Sequence, residues 1–254
     1  MNGTNNEFDF VLEFNNKKVK ELNPLLRFII EDIFYDISEG DTIKAWRNHL
    51  KQKTDILLNI NGVIKGISIK MGGRNSVHVE HIGEFCNFLY KLGATKEQVN
   101  SYIKYHYADG TLNGKGIERL SCAQYKKKYQ KEIDILNRFL NTQKNVSKAI
   151  DRFVLKGNNS DYEIEGIIWG TPKDFLWISK KEIINIIMLK RVYYSSAVHF
   201  STLVCQPLNR CLNYNSRYSY GRYYVQIKWY TLFDDIVESM SYLFSSELDN
   251  LGSN

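Results

Sequence analysis

One stretch of the sequence, residues 54–70, contains a carboxylate, a hydroxyl and an ammonium group at spacings that would let them act together. Asn61-Gly62 lies in its middle and is typical of a type I′ β-hairpin turn, because both residues tolerate positive φ angles. With that turn, strand pairing places Asp55 opposite Ser68. Side chains alternate along a strand, so Lys70 lies on the same face, diagonal to Asp55.

The other face of this predicted hairpin is nearly all apolar, which indicates that it packs on a core. Its members are Ile56, Leu58, Ile60, Val63, Ile67 and Ile69. After the hairpin, Ser76 is expected to cap a helix whose apolar residues recur at helical spacing, and Gly93 is expected to end it.

The polar face suits metal-dependent hydrolysis of a phosphodiester. A carboxylate such as Asp55 and a nearby backbone carbonyl are the oxygen ligands that Mg²⁺ prefers, and the ion keeps several waters. The ion would polarise the phosphate and lower the pKa of a water, while the Lys70 ammonium orients that water or stabilises developing charge. The alternative is an ordinary cross-strand ion pair on a solvated face, which contributes little to stability. The residues alone leave both interpretations open.

The same residues resemble the metal-binding signature of the PD-(D/E)xK nuclease superfamily. Asp55 is followed, after twelve residues, by Ser68-Ile69-Lys70. The pattern is most similar to type II restriction endonucleases that carry Asn or Gln at the second acidic position. Thr54 before Asp55, and Arg74-Asn75-Ser76-Val77 opening a helix, extend the likeness, which covers roughly residues 20–92. Two features depart from the pattern: no proline precedes Asp55, and serine is a poor metal ligand.

The resemblance implies an α/β fold with a restriction-endonuclease-like mixed β-sheet core flanked by helices and a β-rich C-terminal region. It also implies roles for the hairpin residues. Asp55 and the carbonyl of Ile69 would coordinate Mg²⁺, Lys70 would position or activate the water, and Ser68 would assist.

Members of this superfamily often carry a further acidic residue on a helix before the hairpin. Asn23-Pro24 predicts the start of such a helix, with proline at its first position. Glu31 is the candidate acid on it and Asp32 the fallback, while Glu80 lies near the end of the hairpin. An i,i+4 ion pair between Glu31 and Arg27 explains Glu31 equally well.

Composition is that of a globular chain of 254 residues, with 43% hydrophobic and 24% charged residues. No apolar run approaches the roughly eighteen residues of a membrane span, and the N-terminus lacks the pattern of a signal peptide. The four cysteines have no CxxC spacing, which argues against a zinc site or a disulfide framework. We therefore expect a cytoplasmic protein.

The segment between Glu182 and Asp234 has no acidic residue and mixes basic with aromatic side chains. This composition is typical of a surface that binds a polyanion, although a tyrosine-rich β region with solvated basic residues has the same composition. The candidates for DNA contact are Gln206, Asn209, Arg210, Arg217, Arg222 and Lys228.

The predicted organisation has an N-terminal nuclease core at residues 1–107 and a helical, then β-rich, basic DNA-binding region at residues 108–254. The loop at residues 108–116 separates them, unless the two form one continuous domain. The predicted function is that of a Mg²⁺-dependent type II restriction enzyme cutting double-stranded DNA, with a homodimer left open. A non-catalytic nucleic-acid-binding protein and a repair or junction nuclease on the same fold are the alternatives.

Overall fold

The structure of this protein is a computed structural model that describes residues 3–50, 52–73, 75–158, 160–191, 197–208 and 220–251. The α-helices are α1 (Gly3–Phe14), α2 (Pro24–Ile33), α3 (Ile82–Leu92), α4 (Lys96–Tyr107), α5 (Cys122–Leu140), α6 (Gln143–Ile150), α7 (Lys180–Leu189) and α8 (Leu232–Leu251). The strands are β1 (Lys44–Arg47), β2 (Ile56–Ile60), β3 (Val63–Lys70), β4 (Ser76–His81), β5 (Ile164–Thr171), β6 (Asp174–Ser179), β7 (His199–Phe200), β8 (Leu203–Pro207) and β9 (Tyr224–Trp229). Across these ranges, no helix is both long and apolar enough to cross a membrane.

The chain forms two compact units, and neither is continuous in sequence. The first unit draws on Met1–Asn75, Val154–Ile186 and Thr231–Asn254, and the second on Ser76–Phe153 and Ile187–Tyr230. This division differs from the predicted boundary at residues 107/108. The reason is strand pairing: the hairpin completes its sheet with β5 and β6, which lie about a hundred residues later in the chain.

The predicted hairpin is confirmed as β2 and β3 of the first unit. Ile60 pairs with Val63 and the register runs out to Ile56 opposite Ile67. Asn61 and Gly62 have φ angles of 52° and 87°, as the type I′ turn requires. The predicted apolar face is buried except at Val63, which lies next to the turn and is 52% exposed.

The sheet of the first unit has the order β1-β2-β3-β5-β6. β3 and β5 run parallel, with Lys70 beside Trp169, and the other neighbours are antiparallel. Helix α1 packs against β1, β2 and β5, while α2 packs against β6. Leu57 and Ser68, on the polar side of the hairpin, are also buried, so both faces of this mixed sheet are covered.

The second unit contains an antiparallel sheet in the order β4-β9-β8-β7. Helices α3 and α4 pack against it, and α5 and α6 contact β7. Its core is strongly aromatic and includes rings in mutual contact from Phe85, Phe88, Phe153 and Phe200.

One local prediction is wrong. Residues 76–81 form strand β4 rather than the first turn of a helix, and His81 instead of Ser76 caps α3 by accepting a hydrogen bond from Gly83. The strand exists because β9 pairs with it from far along the chain, a partner that local patterning does not reveal. Gly93 ends α3 in the left-handed conformation, as predicted.

Candidate active site

The Asp55 carboxylate is held at the start of β2 by the neighbouring strand. Its Oδ2 atom accepts hydrogen bonds from the Ser68 hydroxyl at 2.8 Å and from the backbone N–H of Ile69 at 2.6 Å. The backbone N–H of Asp55 donates to the Ile67 carbonyl at 2.9 Å, just beyond the last register pair of the hairpin, Ile56 with Ile67. The structure therefore brings Asp55, Ser68 and Ile69 together as the register predicts.

Lys70 completes this group at the end of β3. Its Nζ atom lies 3.6 Å from Asp55 Oδ2 and 3.4 Å from the carbonyl oxygen of Ile69. The side chains of Lys70 and Asp55 are 21% and 24% exposed, so a ligand from solvent reaches both. One ammonium thus touches both of the oxygen groups predicted to bind a metal.

A second carboxylate comes from helix α1, in a region to which the sequence analysis assigned no function. Glu7 forms an ion pair with Arg47 of β1 at 3.2 Å. Burial and the nearby Asp55 carboxylate raise the pKa of Glu7, while Arg47 and Lys70 act to lower it. Glu7 is therefore electrostatically coupled to Asp55 and Lys70. The spacing of Phe10, Val11 and Phe14, all buried, is the signal that predicts this helix.

Lys53 is a second lysine in the electrostatic neighbourhood of the site. Burial and, to a smaller extent, the Lys70 ammonium lower the pKa of Lys53 to about 7, against the opposing effect of Asp55. The backbone N–H of Lys53 donates to the Ser160 hydroxyl at 2.9 Å. Sequence patterning did not single out Lys53, because the segment before β2 has no periodicity.

Gly66 allows the chain segment that precedes Asp55 to lie close against β3. A Cβ atom at Gly66 would come within 2.2 Å of Thr54 Cγ2 and 3.0 Å of the Glu163 carbonyl oxygen. Thr54 is buried and accepts a hydrogen bond of 2.7 Å from the Asn48 side chain. The absence of a side chain at position 66 therefore helps to place Asp55.

The other predicted acids have partners outside this group. Glu31 is exposed and forms the predicted i,i+4 ion pair with Arg27 at 2.7 Å. Asp32 accepts a hydrogen bond of 2.9 Å from the indole N–H of Trp177. Glu80 is buried in the second unit and pairs with Arg152 at 2.6 Å. The carboxylate coupled to Asp55 is Glu7, because α1 rather than α2 packs on β1 and β2.

Three of the predicted DNA contacts lie within the described residues, all in the second unit. Gln206 is nearly buried and bonds to Gln226, and Lys228 lies with its Nζ atom 5.6 Å from the centre of the Tyr230 ring. The Arg222 guanidinium lies over the Tyr223 ring at 5.0 Å. The remaining predicted contacts, Asn209, Arg210 and Arg217, lie outside the described residues.

The donor atoms around Asp55 fit a hard divalent cation. Among the described residues, no three His, Cys, Asp or Glu side chains lie close enough to hold a metal ion, which excludes a tetrahedral zinc centre there. Mg²⁺ needs fewer protein ligands, since it binds through one or two carboxylates and keeps several waters. The Asp55 carboxylate and the Ile69 carbonyl, both in contact with the Lys70 ammonium, form a position that favours positive charge.

Comparison with known proteins finds a likeness in fold among the solved structures. No family model matches this chain, and no curated protein does. Among solved structures, the chain is similar to the restriction endonuclease MspI in complex with its cognate DNA, with a TM-score of 0.54 and 10% sequence identity over 87% of each chain. At this identity the likeness concerns the fold alone. The protein has a mixed α/β, restriction-endonuclease-like fold.

Proposed function

We propose that this protein is a Mg²⁺-dependent endodeoxyribonuclease that cuts double-stranded DNA at specific sites, as a type II restriction enzyme does. The observation that carries the proposal is the contact of one ammonium, Lys70, with both the Asp55 carboxylate and the Ile69 carbonyl. The restriction-endonuclease-like fold supports it, since the solved neighbour is a restriction endonuclease bound to DNA.

Each residue of the group has a distinct role in this proposal. Asp55 and the Ile69 carbonyl would hold the metal, and Glu7, whose pKa responds to Asp55 and Lys70, is the candidate for a second carboxylate, directly or through water. Mg²⁺, when bound, supplies Lewis acidity at the phosphate and a water of lowered pKa. Lys70 orients the attacking water and stabilises the negative charge that develops on the phosphate. Ser68, which donates to Asp55 and is 1% exposed, positions the carboxylate.

The second unit supports DNA as the substrate. Its residues 187–230 belong to the acid-free segment and carry exposed tyrosines beside basic side chains. Lysine and arginine contacts to phosphate supply affinity for DNA that does not depend on sequence. Hydrogen bonds to base edges would then supply specificity.

Plasmid cleavage tests the proposal. The full chain is incubated with supercoiled plasmid in Mg²⁺, and the products are separated on a gel. Discrete fragments support a site-specific nuclease, whereas structure-selective nicking indicates a repair or junction nuclease. Absence of cleavage favours a binding protein whose Asp55 and Lys70 form only an ion pair.

Two substitutions assign the activity to the site. Asp55→Asn and Lys70→Met are each expected to reduce cleavage by at least about 100-fold, the scale of one lost charge-stabilising group. Binding to DNA in Ca²⁺ should remain measurable for both variants. Asp174→Asn and Lys44→Met make the same changes at exposed positions of the first unit and should leave cleavage unchanged. A fully active Lys70→Met variant would contradict the proposed site.

A further inference from the structure

The central strand of the second sheet has one buried and one polar face. Val225, Ile227 and Trp229 of β9 are fully buried, and they alternate with Gln226 and Lys228, which are partly exposed. This face continues onto both neighbouring strands, with a polar residue on β8 and an apolar one on β4. Gln206 of β8 lies opposite Gln226, and Val79 of β4, which is 43% exposed, pairs with Gln226 from the other side.

A directed chain of hydrogen bonds crosses this polar face. The Tyr230 hydroxyl donates to Gln206 Oε1 at 3.0 Å, and Gln206 Nε2 donates to Gln226 Oε1 at 3.1 Å. The first hydrogen bond uses the oxygen of the Gln206 amide, and the second uses its nitrogen. The oxygen of Gln226 therefore accepts a hydrogen bond from within the protein. The amide NH₂ of Gln226 donates to no partner among the described residues.

This chain of hydrogen bonds influences which base edge Gln226 can recognise. A glutamine whose oxygen and nitrogen both remain available binds the adenine edge, which offers one acceptor and one donor. Here Gln206 occupies one of the two acceptor positions of the Gln226 oxygen, whereas the Gln226 amide NH₂ keeps both of its donors. Lys228, two residues along the same face, adds the donors of an ammonium group. Guanine presents two acceptors, N7 and O6, in the major groove. A set in which donors predominate therefore matches guanine better than adenine.

We propose that Gln226 and Lys228 form a recognition site for the major-groove edge of guanine, and that Gln206 is the positioning residue that turns the donors of Gln226 toward the ligand. The inference deepens the proposed function, on which it rests, by naming G·C pairs as part of the recognised sequence. Gln206 was predicted to contact bases itself. In this proposal it acts through Gln226.

The charges of the surface favour DNA as the occupant. Lys228 contributes a positive charge, and the acid-free segment that includes β8 and β9 has no carboxylate to repel a phosphate backbone. On β4 the one carboxylate, Glu80, is buried and paired with Arg152. The face therefore combines hydrogen-bond donors for base edges with a positive charge that favours the polyanion.

The experiment measures binding, so that it does not depend on cleavage. Duplexes with a randomised centre are selected on the full chain in Ca²⁺ and sequenced, and affinities of the enriched duplex are then measured by fluorescence anisotropy. We expect at least one G·C pair whose replacement by A·T weakens binding about 10-fold or more, the scale of a lost pair of base-edge hydrogen bonds. Replacing that guanine by 7-deazaguanine, which lacks the N7 acceptor, should also weaken binding.

The variants separate recognition from a structural role. Gln226→Leu should lose the preference for guanine, and Lys228→Met should weaken it. Gln206→Met releases the Gln226 oxygen and should raise affinity for the duplex with A·T at that position, a gain that loss of structure does not produce. Lys96→Met makes the same charge change as Lys228→Met at an exposed position of α4. It should leave the preference for guanine unchanged.

Several outcomes would overturn the inference. The first is that the selected duplexes share no required G·C pair. The second is that replacing the guanine by 7-deazaguanine leaves the affinity unchanged. The third is that the Gln206→Met variant keeps the same preference for guanine as the parent protein. A protein that shows the guanine preference but never cuts plasmid would contradict the proposed nuclease activity and leave this site intact. A site-specific nuclease without that preference would contradict only this inference.

Discussion

The Asp55 carboxylate accepts a 2.6 Å hydrogen bond from the backbone N–H of Ile69, the residue whose carbonyl is the other proposed metal ligand. Strand β3 therefore sets the position of both oxygen ligands relative to each other through its backbone. A side chain at position 68 does not have to supply a ligand for this geometry to exist. This relationship explains how a serine is compatible with the proposed metal site.

Glu7 is expected to contribute to cleavage, and Glu31 is not. Glu7→Gln removes a charge that is coupled to Asp55 and Lys70, and we expect cleavage to fall by about 10-fold or more. Glu31→Gln breaks an exposed ion pair with Arg27, which contributes little to stability and lies outside the site. Single-turnover cleavage rates in Mg²⁺ measure the effect of both substitutions. Glu13→Gln, on the same helix as Glu7, controls for charge loss on α1, and equal losses for Glu31→Gln and Glu7→Gln would contradict the assignment.

Ser68→Ala is expected to cost about 10-fold in cleavage rate, far less than loss of Asp55. The variant removes one hydrogen bond to the Oδ2 atom of the Asp55 carboxylate, and the expected loss of about 1.5 kcal/mol is the lower end for a hydrogen bond to a charged group. The loss is small because the Ile69 N–H and Lys70 still hold the carboxylate. Single-turnover cleavage measures this, with circular dichroism to check folding and Ser101→Ala as the matched control. Complete inactivity of the folded variant would mean that Ser68 has a direct role at the metal or the water.

Gly66→Ala is expected to destabilise the protein by about 1–3 kcal/mol, the scale of overpacking, and to lower cleavage. The new methyl group would overlap Thr54 Cγ2, next to Asp55. Gly73→Ala, where no atom lies within 4 Å of the added carbon, should be neutral in both assays. Thr54→Ser removes the overlapping methyl group and keeps the hydroxyl, so it should partly rescue Gly66→Ala in a double-mutant cycle of denaturant unfolding. If the effects of the two substitutions on the free energy of unfolding were strictly additive, overlap with Thr54 would not be the cause of the destabilisation.

His106 is expected to make the free energy of unfolding depend on pH. Burial lowers the pKa of His106 to about 4, with Arg119 and His81 acting in the same direction and its hydrogen bond to the Arg222 carbonyl opposing them. Because the unfolded chain binds this proton near its ordinary pKa of about 6.5, stability falls as pH drops from about 6.5 to 4. The full loss is about 3 kcal/mol.

Denaturant unfolding of the parent protein and of His106→Gln from pH 8 to pH 4 tests this dependence. The glutamine amide can still donate to the Arg222 carbonyl. The free energy of unfolding of the variant should therefore fall less than that of the parent protein as the pH drops. His49→Gln, at an exposed position, should follow the parent curve. Identical slopes for the parent and His106→Gln would show that His106 is not the group responsible.

The sequence by itself determined the parts of this protein that depend on neighbouring residues. The Asn61-Gly62 turn and the alternation of apolar residues set the hairpin register, and the register brings Asp55, Ser68 and Lys70 together. The start of α2 at Pro24, capped by Asn23, was equally predictable, because a cap joins groups a few residues apart.

Only the tertiary structure decided which distant segments meet these elements. It placed Glu7 of α1, rather than Glu31 of α2, in the electrostatic neighbourhood of Asp55, and it made residues 76–81 a strand by pairing them with β9. It also linked Gln206 to Gln226 by a hydrogen bond between β8 and β9. These contacts join residues that are twenty to more than a hundred positions apart. Packing of whole elements selects such partners, and the local pattern of either partner does not encode the choice.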